Sequence, residues 1–238
     1  MTANHLQMPH VHRTRIKICG LTSESDVDAA VVAGADAIGF VLYPPSPRAV
    51  SVERAAALAR RLPPFVSPVL LFVNEEISKI RAACATITSA IIQFHGDESP
   101  EECDALQRPY LRAARVPMGA GAPGFDLVKY AQRYPRAQGI LLDAHVDGYG
   151  GGGHTFDWTA FSWSQLPPNV SSRLVLSGGL TPANATDGVC QVRPWAVDVS
   201  SGVERDGPDG KPLKGHKDPQ KMQRFVAAVR AADALHSI

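Results

Sequence analysis

Residues 15–34 read Arg15-Ile16-Lys17-Ile18-Cys19-Gly20-Leu21-Thr22-Ser23-Glu24-Ser25-Asp26-Val27-Asp28-Ala29-Ala30-Val31-Val32-Ala33-Gly34, and this stretch decides the fold. Arg15 to Cys19 is a short strand stopped by Gly20. Ser23 or Ser25 then caps a helix with Val27, Ala30 and Val31 on one face, and Gly34 ends it. The same strand-helix unit recurs along the chain. Ala37–Tyr43 is followed by a helix over Val52–Leu62 opened by Ser51, and Pro68–Val73 by a helix over Glu75–Cys84 opened by Asn74. Ser89–Phe94 precedes a helix with Ser99 as cap, Pro100 at its first position and Glu101 and Glu102 in its first turn. Leu111–Val116 pairs with Phe125–Arg133. Gly139–Asp143 leads into a glycine-rich loop, Leu174–Ser177 into a helix opened by Thr181-Pro182, and Trp195–Val199 is the eighth strand. Asp218-Pro219 opens a last helix with an apolar stripe of Met222, Phe225, Val226 and Val229.

The strand ends recur about every 26 residues, the size of a minimal strand-helix unit. Eight such units predict a single-domain α/β fold, a (β/α)8 TIM barrel over residues 15–238, with residues 1–14 as a flexible extension. A doubly wound open sheet is the alternative, but no Gly-x-Gly-x-x-Gly follows the first strand. The extension carries His5, His10 and His12, read as solvated rather than metal-binding.

The 238 residues are 45% apolar and 20% charged, enough for a large core and too ordered a composition for disorder. Twenty-four basic residues against 23 acidic ones leave a net charge of +1, so the broad field that would draw the chain onto nucleic acid or an anionic membrane is missing. No apolar run is long enough to span a bilayer and no signal peptide is visible, which makes a cytoplasmic location the expectation. Cys19, Cys84, Cys103 and Cys190 match no zinc spacing and read as free thiols, and no metal site is expected. The sequence leaves monomer and homodimer equally open.

In a barrel, chemistry belongs at the C-terminal ends of the strands. A period of two turns Lys17 and Cys19 inward while Ile16 and Ile18 face the helices. By the same rule Gln93 and His95 share a face, Leu141 shares one with Asp143, and Asp198 aligns with Ser200. Taken alone, Cys19 reads as a small core filler, as Cys84 and Cys103 do. Lys17 and Asp198 sit on strands that are neighbours in a closed barrel and read first as a structural ion pair acting on Cys19 electrostatically. Ser177-Gly178-Gly179 and Ser200-Ser201-Gly202, after strands seven and eight, are loops that aim backbone N–H groups at one anion, of which phosphate is the expected one. Gly150 to Gly153 form a lid or merely a flexible link. Arg48 follows three prolines in Tyr43-Pro44-Pro45-Ser46-Pro47-Arg48; it either grips a carboxylate bidentately or is a surface arginine after a stiff turn.

Taken together, the motifs resemble the phosphoribosylanthranilate isomerase family of tryptophan biosynthesis. They are Lys17-Ile18-Cys19-Gly20, Gly39-Phe40-Val41 through Ser46-Pro47-Arg48, Phe72-Val73-Asn74 and Gln93-Phe94-His95-Gly96-Asp97. They continue with Leu142-Asp143-Ala144, the glycine run before Phe156-Asp157-Trp158, Ser177-Gly178-Gly179-Leu180, and Asp198-Val199-Ser200-Ser201-Gly202-Val203-Glu204. Pro45 stands where the family usually has lysine, Gly152 where it has threonine, and Arg205 to Lys217 is longer than the usual link into the last helix.

The resemblance implies an Amadori rearrangement of N-(5-phosphoribosyl)anthranilate, a small phosphosugar, into 1-(2-carboxyphenylamino)-1-deoxyribulose 5-phosphate, without metal or organic cofactor. Asp143 would be the general acid that opens the ribose ring and Cys19 the general base that removes the C2 proton. Arg48 would hold the anthranilate carboxylate. Gln93, His95 and Asp198 would line the substrate, and Gly152, Gly153, Gly178, Gly179, Ser200, Ser201 and Gly202 would anchor it through its phosphate. Lys17 is expected to favour the Cys19 thiolate, and desolvation behind a closed glycine loop to keep part of Asp143 protonated. Other phosphate-binding barrels fit less well: His95 is the only histidine at a strand end, which argues against a metal-dependent epimerase. A silent binding barrel would need neither Cys19 nor Asp143, and a histidine-pathway aminoaldose isomerase would more typically use two acidic groups.

Overall fold

A computed structural model describes residues 13–117, 125–144, 158, 161–208 and 210–235. Eight parallel strands close into a barrel in sequence order: β1 (Arg15–Cys19), β2 (Ala37–Val41), β3 (Ser67–Phe72), β4 (Ile91–Phe94), β5 (Tyr110–Val116), β6 (Gly139–Ala144), β7 (Leu174–Leu176) and β8 (Ala196–Val199). The intervening helices are α1 (Glu24–Ala33), α2 (Val52–Ala59), α3 (Ile77–Thr86), α4 (Pro100–Asp104), α5 (Leu127–Arg133), α6 (Pro168–Ser171) and α7 (Ala185–Val192), and α8 (Pro219–Leu235) completes the ring.

The alternation read in β1 holds all round. Outward residues such as Ile16, Ile18, Phe40, Phe94 and Leu142 pack against helix residues including Val27, Leu58 and Phe225 in one continuous core. Inward residues form two smaller layers, Ala113, Leu141, Val175 and Ala196 in one and Cys19, Val41, Leu71 and Val73 in the other. The barrel closes where β1 meets β8, with Lys17 opposite Asp198.

Three serine caps form as expected: Ser23, Ser51 and Ser99 each accept a backbone N–H of the first turn, and Ser99 and Glu102 complete a capping box. Two expected helix starts are corrected. Asn74 does not open α3; it adopts φ 49° and its Oδ1 accepts from Asp97 N at 2.7 Å, so α3 begins only at Ile77. Asn184, rather than Thr181, precedes α7, because its side chain accepts from Thr181 N at 2.7 Å and adds a turn before the helix. Two short strands were not anticipated: β9 (Glu204–Asp206) and β10 (Pro212–Lys217) pair antiparallel between β8 and α8. Thr14, assigned by sequence to the extension, is instead buried against α8, donating to Asp233 from both its N–H and its hydroxyl. All four cysteines are free thiols, Cys84 and Cys103 within the core. Among the described residues no helix is long and apolar enough to cross a membrane.

One buried carboxylate ties the ends of β3, β4 and β5 together. Glu98 accepts from Asn74 N (2.8 Å), Gly96 N (2.9 Å) and Arg112 Nη1 (3.1 Å), while Arg112 also donates to Phe94 O and Gly96 O and lies over the Tyr134 ring. This network fixes the turn that carries His95. Glu98→Ala leaves the Arg112 guanidinium without its carboxylate in a dry site and is expected to lower stability by about 3–5 kcal/mol, read as a lower urea midpoint at unchanged slope; a loss within error of zero would show that the turn holds itself.

Candidate active site

The strand ends open onto one cleft whose lining includes Cys19, Arg48, Gln93, His95, Asp143, Gly178, Gly179, Asp198, Ser200 and Ser201. Most of the residues singled out by sequence thus converge. Lys17 lies behind the lining and Gly202 within the short turn Ser201–Val203; Gly152 and Gly153 fall outside the described residues.

Cys19 ends β1 directly opposite Gly39 of β2. A Cβ at residue 39 would stand 2.6 Å from Cys19 Sγ and 3.0 Å from its Cα, so the thiol occupies the space that the missing side chain leaves. Behind it the Lys17 ammonium donates to Asp198 Oδ1 at 2.8 Å, with both side chains about 5% exposed. Burial works against the Lys17 charge, but Asp198 and Cys19 outweigh it and hold its pKa above the usual lysine value. Burial is also the largest influence on Cys19 and pushes the thiol up; Lys17 and Lys217 pull it down, Asp198 pushes it up, and the thiol stays above its ordinary value. The Lys17 charge acts in the expected direction, but desolvation is the larger effect.

Across the cleft, Gln93, His95 and Asp143 form a chain. Gln93 Nε2 lies 3.0 Å from His95 Nδ1, and His95 Nε2 lies 3.1 Å from Asp143 Oδ2. An amide that donates to Nδ1 fixes the ring proton on Nε2, which then donates to Asp143. Gln93 Oε1 is buried and meets no partner among the described residues.

The glycine loop after β7 is built to approach Asp143. Gly178 has φ +77°, and a Cβ there would meet Ala144 N at 2.6 Å and Asp143 Oδ1 at 3.0 Å. Neither Gly178 N–H nor Gly179 N–H meets a protein acceptor among the described residues, as an anion-accepting turn requires. Ser200 Oγ donates to Cys19 O at 3.0 Å, so the loop after β8 is fastened to the end of β1.

Arg48 does reach the cleft, but its fork is already engaged. Nε and Nη2 donate to the two oxygens of Glu204 at 2.7 and 2.8 Å, in a pair that is almost wholly buried. A ligand carboxylate therefore meets the remaining donors, both protons of Nη1 and the second proton of Nη2, rather than the Nε–Nη2 edge. Sequence reasoning missed both Glu204 as a partner and Lys217, whose Nζ donates to Glu204 Oε1 at 3.1 Å and to Ser200 O at 2.9 Å from a fully buried position. No signal within the 204–217 segment separates these two from a solvated charged loop.

The model of the N-(5'-phosphoribosyl)anthranilate isomerase family matches residues 16–228. The N-(5'-phosphoribosyl)anthranilate isomerase of Methylibium petroleiphilum is 62% identical over 222 residues, covering 93% of this chain and 96% of that one. The crystal structure of phosphoribosyl anthranilate isomerase from Thermotoga maritima superposes with a TM-score of 0.76 at 38% identity, over 92% of this chain and 99% of that one. A further phosphoribosyl anthranilate isomerase, in complex with reduced 1-(o-carboxyphenylamino)-1-deoxyribulose 5-phosphate, superposes with a TM-score of 0.71 at 35% identity, over 92% and 99% of the two chains.

The contact between residue 39 and the thiol is testable. Gly39→Ala is expected to cost about 1–3 kcal/mol in urea unfolding, as overpacking does, and to change the alkylation rate of Cys19, read by mass spectrometry of its peptide. Unaltered stability together with unaltered Cys19 reactivity would mean that β1 and β2 yield without displacing the sulfur.

Proposed function

The chain belongs to the phosphoribosylanthranilate isomerases, intramolecular oxidoreductases of tryptophan biosynthesis, and from that premise we propose that Asp143 is the general acid and Cys19 the general base of the rearrangement. The observation that carries this reading is the convergence of a thiol from β1 and a carboxyl from β6 on one cleft, with the Gly178–Gly179 and Ser200–Ser201 loops beside them. The substrate's phosphate is assigned to the N–H groups of those loops, and its anthranilate carboxylate to the remaining donors of Arg48.

The reaction opens the ribose ring first. Asp143 gives its proton to the ring oxygen as the C1–O bond breaks, and the anilino nitrogen lone pair forms the C1=N iminium bond. The iminium acidifies the C2 proton, which passes to the Cys19 sulfur; the C2–H electrons become the C1–C2 double bond of an enolamine as the C1=N pair returns to nitrogen, and the enolamine then tautomerises to the ketone.

His95 supports the role of Asp143. With the ring proton on Nε2, His95 donates to an ionised Asp143. Turning the Gln93 amide over makes its oxygen the acceptor of an Nδ1 proton, and Nε2 then accepts from a protonated Asp143. Both orientations leave one Gln93 amide atom unpaired, so neither is favoured on that side. The same two side chains, Gln93 and His95, thus serve Asp143 before and after it gives up its proton.

The thiol must lose its proton to act, and burial holds it above its ordinary value. Because the reaction also needs a protonated Asp143, the thiol's own pH dependence shows where that acid is removed: in Asp143→Asn, kcat/KM is expected to rise about tenfold per pH unit while the thiolate is the minor form, levelling off only above the usual thiol range. Loss of anthranilate-type fluorescence follows turnover. Cys19→Ala and Asp143→Asn are each expected to lower kcat by about 10²–10⁴-fold, and adding Cys19→Ala to Asp143→Asn to abolish the rise. Residual activity of the double variant that keeps the same rise would overturn Cys19 as the base.

A further inference from the structure

Five charged side chains, none more than 5% exposed, crowd behind Cys19: Lys17, Asp198, Arg48, Glu204 and Lys217. Lys17 pairs with Asp198, and Arg48 takes both oxygens of Glu204. Lys217 is the odd member. Its carboxylate contact, Glu204 Oε1 at 3.1 Å, is shared with Arg48, and its other bonds go to Ser200 O at 2.9 Å and Ser200 Oγ at 3.3 Å. With all five ionised, three cations face two carboxylates in a site from which water is excluded. A lone buried charge is held at high cost unless something compensates it. Asp26, whose carboxylate bonds the Lys217 main chain, stands beside Arg205 instead, and the Cys19 thiol is the group lining the cleft next to this cluster that can supply a further negative charge.

We propose that Lys217 is a positioning residue for Cys19: it anchors Ser200, whose hydroxyl holds the end of β1, and its surplus positive charge stabilises the thiolate. Lys217 and Cys19 together have two states with the same number of protons, a neutral amine beside a thiol and an ammonium beside a thiolate. Burial biases the pair toward the first state, drawing the lysine down while raising the thiol, and each group partly opposes that bias in the other. The hairpin β9–β10 exists to deliver this ammonium. Lys217 N donates to Asp26 Oδ2 at 3.0 Å on α1, and Arg205 stands 3.9 Å from the other oxygen of Asp26. The remaining ionisable groups facing Cys19 across the cleft are His95 and Asp143.

The proposal rests on the reading of Cys19 as the base only for its effect on turnover, and alkylation reports the thiolate directly. The pH dependence of Cys19 alkylation by iodoacetamide, read by mass spectrometry, is compared with that of kcat/KM in wild type, Lys217→Met and Glu204→Gln. Lys217→Met leaves Lys17–Asp198 and Arg48–Glu204 as two neutral pairs, whereas Glu204→Gln makes the cluster more positive. The Cys19 ionisation is expected to move to higher pH in Lys217→Met, with alkylation and kcat/KM about tenfold lower at neutral pH for every pH unit that the ionisation moves, converging on wild type in alkali. In Glu204→Gln it is expected to move to lower pH. A uniform loss at every pH with the ionisation unmoved, or movement in the same direction in both variants, would overturn the proposal. If Lys217→Met fails to fold, the direction in which Glu204→Gln moves the ionisation decides alone. Alkylation that moves along the pH axis while the kcat/KM profile stays fixed would sustain Lys217 and overturn Cys19 as the base.

Discussion

The barrel closes on a salt bridge. Lys17 and Asp198 meet at 2.8 Å inside the seam between β1 and β8, where the first strand must find the last across nearly the whole sequence. As a source of net stability such a pair is weak, because desolvating two charges offsets most of their attraction. Its contribution is register. Slipping either strand by one residue would turn Lys17 or Asp198 toward the helices and leave the other charge alone in the barrel. Once Lys17 is set against Asp198, Cys19 and Ser200 follow two residues on, where the Ser200 hydroxyl bonds the Cys19 carbonyl. The Cys19 end of the cleft is thus a consequence of how the sheet closes.

The sequence carried the barrel and much of the cleft for the same physical reason. A strand has a period of two, so five residues of β1 suffice to sort Lys17 and Cys19 from Ile16 and Ile18, and the same rule brings Gln93, Asp143 and Asp198 to the cleft. Serine caps are equally local, and all three formed. What failed was decided by partners elsewhere. Asn74 has the composition of a helix cap, but its side chain is taken by Asp97 on the next strand-helix connection. Asn184 displaced the start of α7 because it bonds back to Thr181. The 204–217 segment is charged and rich in glycine and proline, so it reads as solvent-facing; only Arg48, 156 residues earlier, and the packing under α1 bury Glu204 and Lys217.

Arg48 illustrates a second limit. The three prolines before it imply a side chain held in place, and it is held. Which carboxylate it meets cannot be read locally, and the protein supplies one of its own. Glu204 takes the Nε–Nη2 edge of the guanidinium and fixes the group in place, leaving both Nη1 protons and the second Nη2 proton for a ligand. A preset donor loses less freedom when a ligand arrives than a mobile arginine would.

A buried thiol with a raised pKa is at first sight a poor choice of base, since less of it is ionised at neutral pH. Each step upward, however, makes the thiolate that does form a stronger proton acceptor, and the best compromise lies near the working pH. Burial alone overshoots, as Cys103 demonstrates: in the helix layer, with burial as the dominant influence, its thiol is pushed up to about 12. Cys19 is buried too, but Lys17 on its own strand and Lys217 on the β9–β10 hairpin both pull it back. Lys17 pulls harder, against the opposing charge of Asp198, and Lys217, which shares its carboxylate with Arg48, adds a smaller pull in the same direction. The chain therefore keeps water away from Cys19 while still offering it a positive charge, and it does so with a hairpin that the barrel itself does not require.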